Sequence, residues 1–216
     1  MNGTVKFLVV DDHPIFRRGV IALLENEERY RVCAEAGNAK EAIEAFERES
    51  PDMVLLDISL GDESGLDLMR SLWASHPGVL VLVISIHDEE AYAERALRAH
   101  ARGYLMKQEA SSVLKEAVAT ILEGKIFVSS SFRDRMIASI SSTSRESSGS
   151  SVSLLSDREL AVIEHLGRGY GAKEIASAMG IAVKTVGVYQ DHIKKKLSLE
   201  SIGELRKFAI KWVQGA

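Results

Sequence analysis

The chain has 216 residues, 46% of them hydrophobic and 27% charged, with a net charge of −4; that is enough for one large domain or two small ones with true cores. Its one cysteine, Cys33, excludes an intrachain disulfide framework and fits a reducing cytoplasm. No apolar run approaches the roughly 20 residues of a membrane span, and a strand beginning by about Thr4 leaves no room for a signal peptide.

Strand and helix signals then alternate. Thr4 to Val10 reads as an apolar strand ending in the acids Asp11-Asp12. His13-Pro14 opens a helix with Ile15, Val20, Ile21, Leu23 and Leu24 on its apolar face, ending near Glu25. Tyr30 to Glu35 is a short alternating strand, and Asn38 can cap a helix bearing Ala42, Ile43 and Phe46. After Pro51 the unbroken run Met53-Val54-Leu55-Leu56 stops at Asp57, the pattern of a parallel strand buried on both faces. Ser64 can cap the helix of Leu66, Leu68, Met69, Leu72 and Trp73, and His76-Pro77-Gly78 is a turn. Val79 to Ile84 is the next strand, ending at Ser85, and Asp88 can cap a helix with Ala91, Tyr92, Ala96 and Leu97. Gly103 to Met106 is a strand ending at Lys107, and a helix from about Val113 to Leu122 closes the unit at Gly124. Five strand–helix repeats imply an α/β unit, a parallel sheet with helices on both faces and right-handed crossovers.

Past Gly124 the pattern changes. Ser130 to Ile140 has helical spacing, and the serine-dominated stretch from Ser139 to Ser153 reads as a flexible linker. The rest is all-α, with four helices. Ser156-Asp157-Arg158-Glu159 is a capping box before Leu160, Ile163 and Leu166. A short helix from Lys173 to Met179, a turn at Gly180-Ile181, and a longer helix from Val183 to Leu197 make a helix-turn-helix, followed by Ile202 to Val213. On the longer helix Val186, Gln190, Ile193 and Leu197 face the core, and Lys184, Val188, Asp191, Lys194 and Lys195 face outward. From Leu154 onward ten Lys/Arg stand against seven Asp/Glu, a balance of +3, which leaves 17 against 24, or −7, for the rest. An acidic front and a basic back fit a cation in one half and a polyanion in the other; a plain solvated surface fits the basic half equally.

The strand ends carry the chemistry. In an open parallel sheet ligands bind at the carboxyl edge, and here that edge holds Asp11 and Asp12, Asp57, Ser85 and Lys107. Three close carboxylates predict a hard divalent cation among oxygen ligands. Asp57 is the candidate nucleophile toward a phosphoryl group, and Asp11 and Asp12 are candidate Mg²⁺ holders, with a backbone carbonyl near Ser59 completing the set. Lys107 offers a fixed positive charge to phosphoryl oxygens, and Ser85 a hydroxyl. Taken singly, each has a plainer reading: a helix cap, a loop residue, a solvated charge. Their weight comes from sharing one sheet edge. His13 and His87 read as loop histidines, and Tyr104 as packing at the sheet edge. An aspartyl-nucleophile phosphohydrolase would want a second acid two residues after Asp57, where Ser59 stands, a poor general acid/base.

Val9-Val10-Asp11-Asp12-His13-Pro14, Leu55-Leu56-Asp57, Ser85 and Gly103-Tyr104-Leu105-Met106-Lys107 resemble a two-component receiver domain of flavodoxin-like (βα)5 fold. Leu155-Ser156-Asp157-Arg158-Glu159, Lys173-Glu174-Ile175-Ala176, Thr185-Val186 and Ile193-Lys194-Lys195-Lys196-Leu197 resemble the LuxR-type helix-turn-helix. The chain is thus similar to NarL/FixJ-class response regulators, with a receiver over residues 1–125, a linker helix and serine-rich linker over 126–153, and a DNA-binding domain over 154–216. The resemblance implies a phosphate taken from a sensor histidine kinase onto Asp57 and Mg²⁺ at Asp11, Asp12, Asp57 and Ser59. It further implies a Ser85–Tyr104 switch with Lys107 on the phosphoryl group, phosphate-controlled homodimerisation, and transcriptional control in the cytoplasm. No enzymatic turnover is implied beyond self-phosphorylation and autodephosphorylation. Lys173, Lys184, Thr185, Val188, Lys194 and Lys195 are the expected DNA contacts. The chain departs from the family at Gln108, where many receivers have proline, and at Gly171-Ala172, Ala182, Gly187, Tyr189 and Asp191. Gly187 costs about 1 kcal/mol of helix stability against Ala and removes a DNA-facing side chain, and Asp191 adds a negative charge to the same surface. These departures prompt a further reading, a regulator that acts through protein partners with weak or atypical DNA binding.

Overall fold

Five apolar runs pair in parallel in the order β2-β1-β3-β4-β5, where β1 is Val5–Val10, β2 Tyr30–Ala36, β3 Met53–Leu56, β4 Leu80–Ser85 and β5 Gly103–Met106. The computed structural model describes residues 3–61, 63–141 and 151–213. Two compact units divide the chain, Met1–Ala138 and Ser139–Ala216.

The strand order places β1, β3 and β4 in the interior of the sheet, and β3 is buried at all four residues, as an unbroken apolar run requires. Register then decides what meets at the edge. Val10 is level with Leu56, and Leu56 with Val83. The residues that follow, Asp11 and Asp57, therefore leave the sheet side by side, and the Asp57 amide donates to the Val10 carbonyl at 2.9 Å. Helices α1 (Pro14–Glu25) and α5 (Ala110–Leu122) enclose one core with Val9, Leu55, Leu82, Ile84 and Leu105. Helices α2 (Ala39–Glu49) and α3 (Gly65–Ser75) pack together, and α4 (Glu89–Arg98) lies against β5. The expected caps form: Asn38, Ser64 and Asp88 accept from the amides of Glu41, Asp67 and Glu90.

The chain does not leave this unit at Gly124. Phe127 pairs with the outer edge of β5, its carbonyl accepting from the Tyr104 amide at 2.9 Å and its amide donating to Arg102 at 3.0 Å. Ser129 donates its amide to Glu89 at 2.8 Å, and helix α6 (Ser130–Ser141) buries Phe132 and pairs Arg135 with Glu90. Most of the expected serine linker, residues 142–150, lies outside the described residues.

The second unit holds α7 (Asp157–Gly167), α8 (Ala172–Met179), α9 (Val183–Leu197) and α10 (Ile202–Val213). The capping box at Ser156 and Glu159 forms, and buried Glu159 also takes Lys196 of α9 at 2.7 Å. Gly180 ends α8 at φ +68°, a left-handed position suited to glycine, and α9 starts at Ala182 without a side-chain cap. Val186 and Ile193 bury the inner face of α9, with Gln190 beside them half-buried. Helices α7 and α10 cross so closely that a methyl group on Gly167 would lie 2.4 Å from the Ala209 carbonyl.

Two glycines test this packing in opposite directions. A methyl at Gly65 would lie 2.0 Å from the Asp57 carbonyl oxygen and 2.9 Å from Ile58 Cα, both backbone. Gly65→Ala should cost on the order of 1–3 kcal/mol in thermal unfolding. A methyl at Gly187 would meet nothing within 4 Å, so Gly187→Ala should gain about 1 kcal/mol. A Gly65→Ala protein as stable as the parent would contradict the close approach of α3 to the end of β3.

Candidate functional site

The polar end of β3 is a closed electrostatic cluster. Lys107, carried one residue past β5, places its ammonium 2.7 Å from Asp57 Oδ2 and 2.6 Å from Asp11 Oδ2. Its side chain is only 9% exposed and crosses the Phe16 ring at 4.5 Å. Burial pushes the Asp57 carboxyl up from 3.8 to about 6, reinforced by Asp11 and opposed by Lys107 and the Ser59 amide. Burial alone would lower the Lys107 ammonium, but Asp57 and Asp11 outweigh it and raise its pKa. One ammonium between two acids stays charged, and Asp57 is the carboxyl that ionises against the grain.

The remaining acid completes a cation site. Ligand atoms of Asp11, Asp12, His13 and Asp57 lie within 4.8 Å of one another. Asp12 Oδ2 accepts from the Gly61 amide at 3.0 Å. Asp12 Oδ1 is buried and accepts no hydrogen bond, although His13 Nδ1 stands 2.6 Å away. His13 also approaches Asp11 Oδ1 at 3.2 Å and donates its amide to that oxygen at 2.8 Å. Oxygen donors with one oxygen left unsatisfied fit a hard cation. Ser59 adds its amide, which donates to Asp57 Oδ1 at 3.2 Å.

Ser85 and Tyr104 are both buried, and what joins them is His87. The His87 amide donates to Ser85 Oγ at 3.2 Å, and its carbonyl accepts from the Tyr104 hydroxyl at 2.8 Å. Its ring nitrogen Nε2 lies 2.8 Å from Ser59 Oγ, and the ring stacks on Tyr92 at 4.6 Å. Read as a loop histidine in the sequence, His87 is buried at the centre of the cluster. The readable signal was its place two residues beyond a strand-end serine, at an edge already crowded with polar groups.

Residues 7–119 match the response regulator receiver domain, and residues 153–209 match the bacterial regulatory proteins of the luxR family. The oxygen regulatory protein NreC of Staphylococcus epidermidis is 32% identical over 212 residues, covering 96% of this chain and 97% of its own. The chain belongs to the two-component response regulators of NarL/FixJ class. A LuxR-family response regulator from Aurantimonas sp. SI85-9A1 superposes with a TM-score of 0.60 at 30% identity, over 64% of this chain and 99% of that one. RcsB of Salmonella enterica serovar Typhimurium, solved on a promoter in the presence of BeF3⁻, shares the fold with a TM-score of 0.59 at 23% identity, over 95% and 98% of the two chains.

In this response regulator the helix-turn-helix residues expected to contact DNA are on the surface. Lys173, Lys184, Val188 and Lys195 are exposed, and Thr185 and Lys194 half-buried. Lys194 is bound to Asp191 at 3.0 Å. Gly171 lacks a capping side chain, and Glu174 takes its amide at 2.7 Å instead. Among the described residues no helix is long and apolar enough to cross a membrane.

The raised Asp57 pKa fixes the sign of a pH effect in metal-free buffer. A raised carboxyl contributes stability that is full below pH 3.8 and lost as pH rises through about 6. With a chelator present, Asp57→Asn should match the parent near pH 4 and exceed it at pH 7.5 by roughly 2–3 kcal/mol in denaturant unfolding. A stability difference that does not change between those pH values would contradict the burial of this charge.

Proposed function

We propose that Asp57 accepts a phosphoryl group from a sensor histidine kinase with Mg²⁺ bound, and that this modification controls homodimerisation and DNA binding to regulate transcription. An Asp57 Oδ attacks phosphorus, the phosphorus–nitrogen bond of the donor histidine breaks, and the imidazole keeps the electron pair. Asp11, Asp12 and Asp57, with the backbone carbonyl of Ser59, would hold the Mg²⁺. The ion supplies neutralisation of the charge on the transferring group. Lys107 moves from Asp57 onto a phosphoryl oxygen while retaining Asp11. The Ser85 hydroxyl turns to another phosphoryl oxygen, which releases the His87 amide, and Tyr104 shifts into the space vacated. Hydrolysis of the acyl phosphate returns the resting state, so the chain catalyses only its own phosphorylation and dephosphorylation. On this reading the protein works in the cytoplasm, and Lys173, Lys184, Thr185, Val188, Lys194 and Lys195 meet promoter DNA.

The observation that carries the reading is the bridge from Lys107 to Asp57 and Asp11 beside the unsatisfied oxygen of Asp12, in a chain whose second unit is a helix-turn-helix. A second reading, a regulator acting through protein partners, draws on the bare Gly187 and the acidic Asp191 of α9. Acetyl phosphate with Mg²⁺ should raise the apparent mass in sedimentation and tighten binding to the chain's own upstream DNA. Asp57→Ala should abolish both responses. A phosphate-dependent change of mass without DNA binding at low salt would favour the protein-partner reading; no response of either kind would overturn both.

A further inference from the structure

The outer stripe of α9 is not uniformly basic. Lys184, Val188, Asp191 and Lys195 recur at helical spacing on the side opposite buried Val186 and Ile193. Val188 is 45% exposed, an apolar side chain with no core to enter. Next along the stripe is a fully ionised acid: Lys194 holds Asp191 at 3.0 Å and keeps its carboxyl below the usual carboxylate range. Gly187 leaves open space beside both. A carboxylate facing DNA is repelled by phosphate, and it is compatible with binding only where a base donates to it. In the major groove the donors are the exocyclic amino groups of cytosine and adenine; carboxylates pair characteristically with cytosine, and an apolar side chain suits the thymine methyl. Val188 and Asp191 are three residues apart, about 4.5 Å along the helix, against a base-pair rise of about 3.4 Å. Both side chains are thus close enough to reach the same or adjacent base pairs.

We propose that Asp191 is a base-specificity residue of this regulator, its carboxylate leaving Lys194 to accept a hydrogen bond from a cytosine N4 amino group, next to a thymine whose methyl packs on Val188. Lys194, released from the pair, turns to a phosphate. This rests on the DNA-binding reading above and names what that surface selects. In the free protein the Asp191–Lys194 pair stores the acid in a form that lowers the net positive charge of the helix. Non-specific binding is thereby held down, and the cytosine contact is favoured by contrast.

The test uses the full chain, phosphorylated with acetyl phosphate, and selection from random-sequence duplex DNA followed by titration of the selected site at several salt concentrations. The parent should select a cytosine at one fixed position of each half-site, and replacing that base should weaken binding by about fivefold or more. Asp191→Ala should lose the preference at that position alone and bind non-specific DNA more tightly, with a salt slope on non-specific DNA steeper by about one ion. Lys194→Ala should keep the cytosine preference and show a shallower slope. Helical circular dichroism of both variants should match the parent; should Asp191→Ala lose helix, Asp191→Asn replaces it with the same expectation of altered base choice. If the parent binds DNA and Asp191→Ala selects the same base at every position, the proposal falls and the DNA reading stands. If the parent binds no DNA even at low salt, both fall.

Discussion

A single ammonium group wedged between two buried carboxylates governs the first unit. Lys107 reaches Asp11 and Asp57 at 2.6 and 2.7 Å from a side chain almost closed to solvent. Desolvated acids this close repel each other strongly, and removing the lysine, which would leave both acids uncompensated, typically costs about 3–5 kcal/mol. The sheet makes the grouping unavoidable. The paired positions Val10 and Leu56 force the next residues of β1 and β3 together, and β5 ends at the level where Lys107 can reach them. The arrangement is also incomplete. One ammonium serves two acids, Asp57 remains hard to ionise, and an oxygen of Asp12 is buried without a hydrogen bond. A site built in this way is stabilised by an added cation and by anything that gives Lys107 a better partner.

The cluster is continuous with the elements around it. Ser59, two residues past Asp57, meets His87, and His87 touches Ser85, Tyr104 and Tyr92. Two residues further on, Glu89 takes the amide of Ser129, where the chain turns into α6. The segment that follows α5 is therefore held by the helix that starts beside the site and by the outer edge of β5. The second unit is held by similar means: Glu159 closes the start of α7 and fixes the last turn of α9 through Lys196.

Most of this was legible because the sequence punctuates itself. Each buried strand is an apolar run that stops at a polar residue, and parallel pairing brings those stops to one edge. The caps at Asn38, Ser64, Asp88 and Ser156 were readable because each is a short polar side chain directly before a periodic run. His87 was not, because a lone histidine in a loop has no period, and its burial depends on Tyr92 and Tyr104 closing around it. Phe127 to Ser129 escaped for the same reason. Three residues lying along a sheet edge carry no pattern, and the unit runs on to Ala138 rather than ending at Gly124. The Asp191–Lys194 pair follows a helical spacing visible in the sequence, which puts both residues on the outward face but does not show that they bond.

The most direct measurement of the central claim is where a phosphoryl group lands. The protein is incubated with acetyl phosphate and Mg²⁺, its acyl phosphate is trapped by borohydride reduction, and the peptides are mapped by mass spectrometry. A single modification on the peptide carrying Asp57, lost when Mg²⁺ is chelated and greatly reduced in Lys107→Ala, is the predicted result. Modification at another residue, or none in the presence of Mg²⁺, would contradict the account.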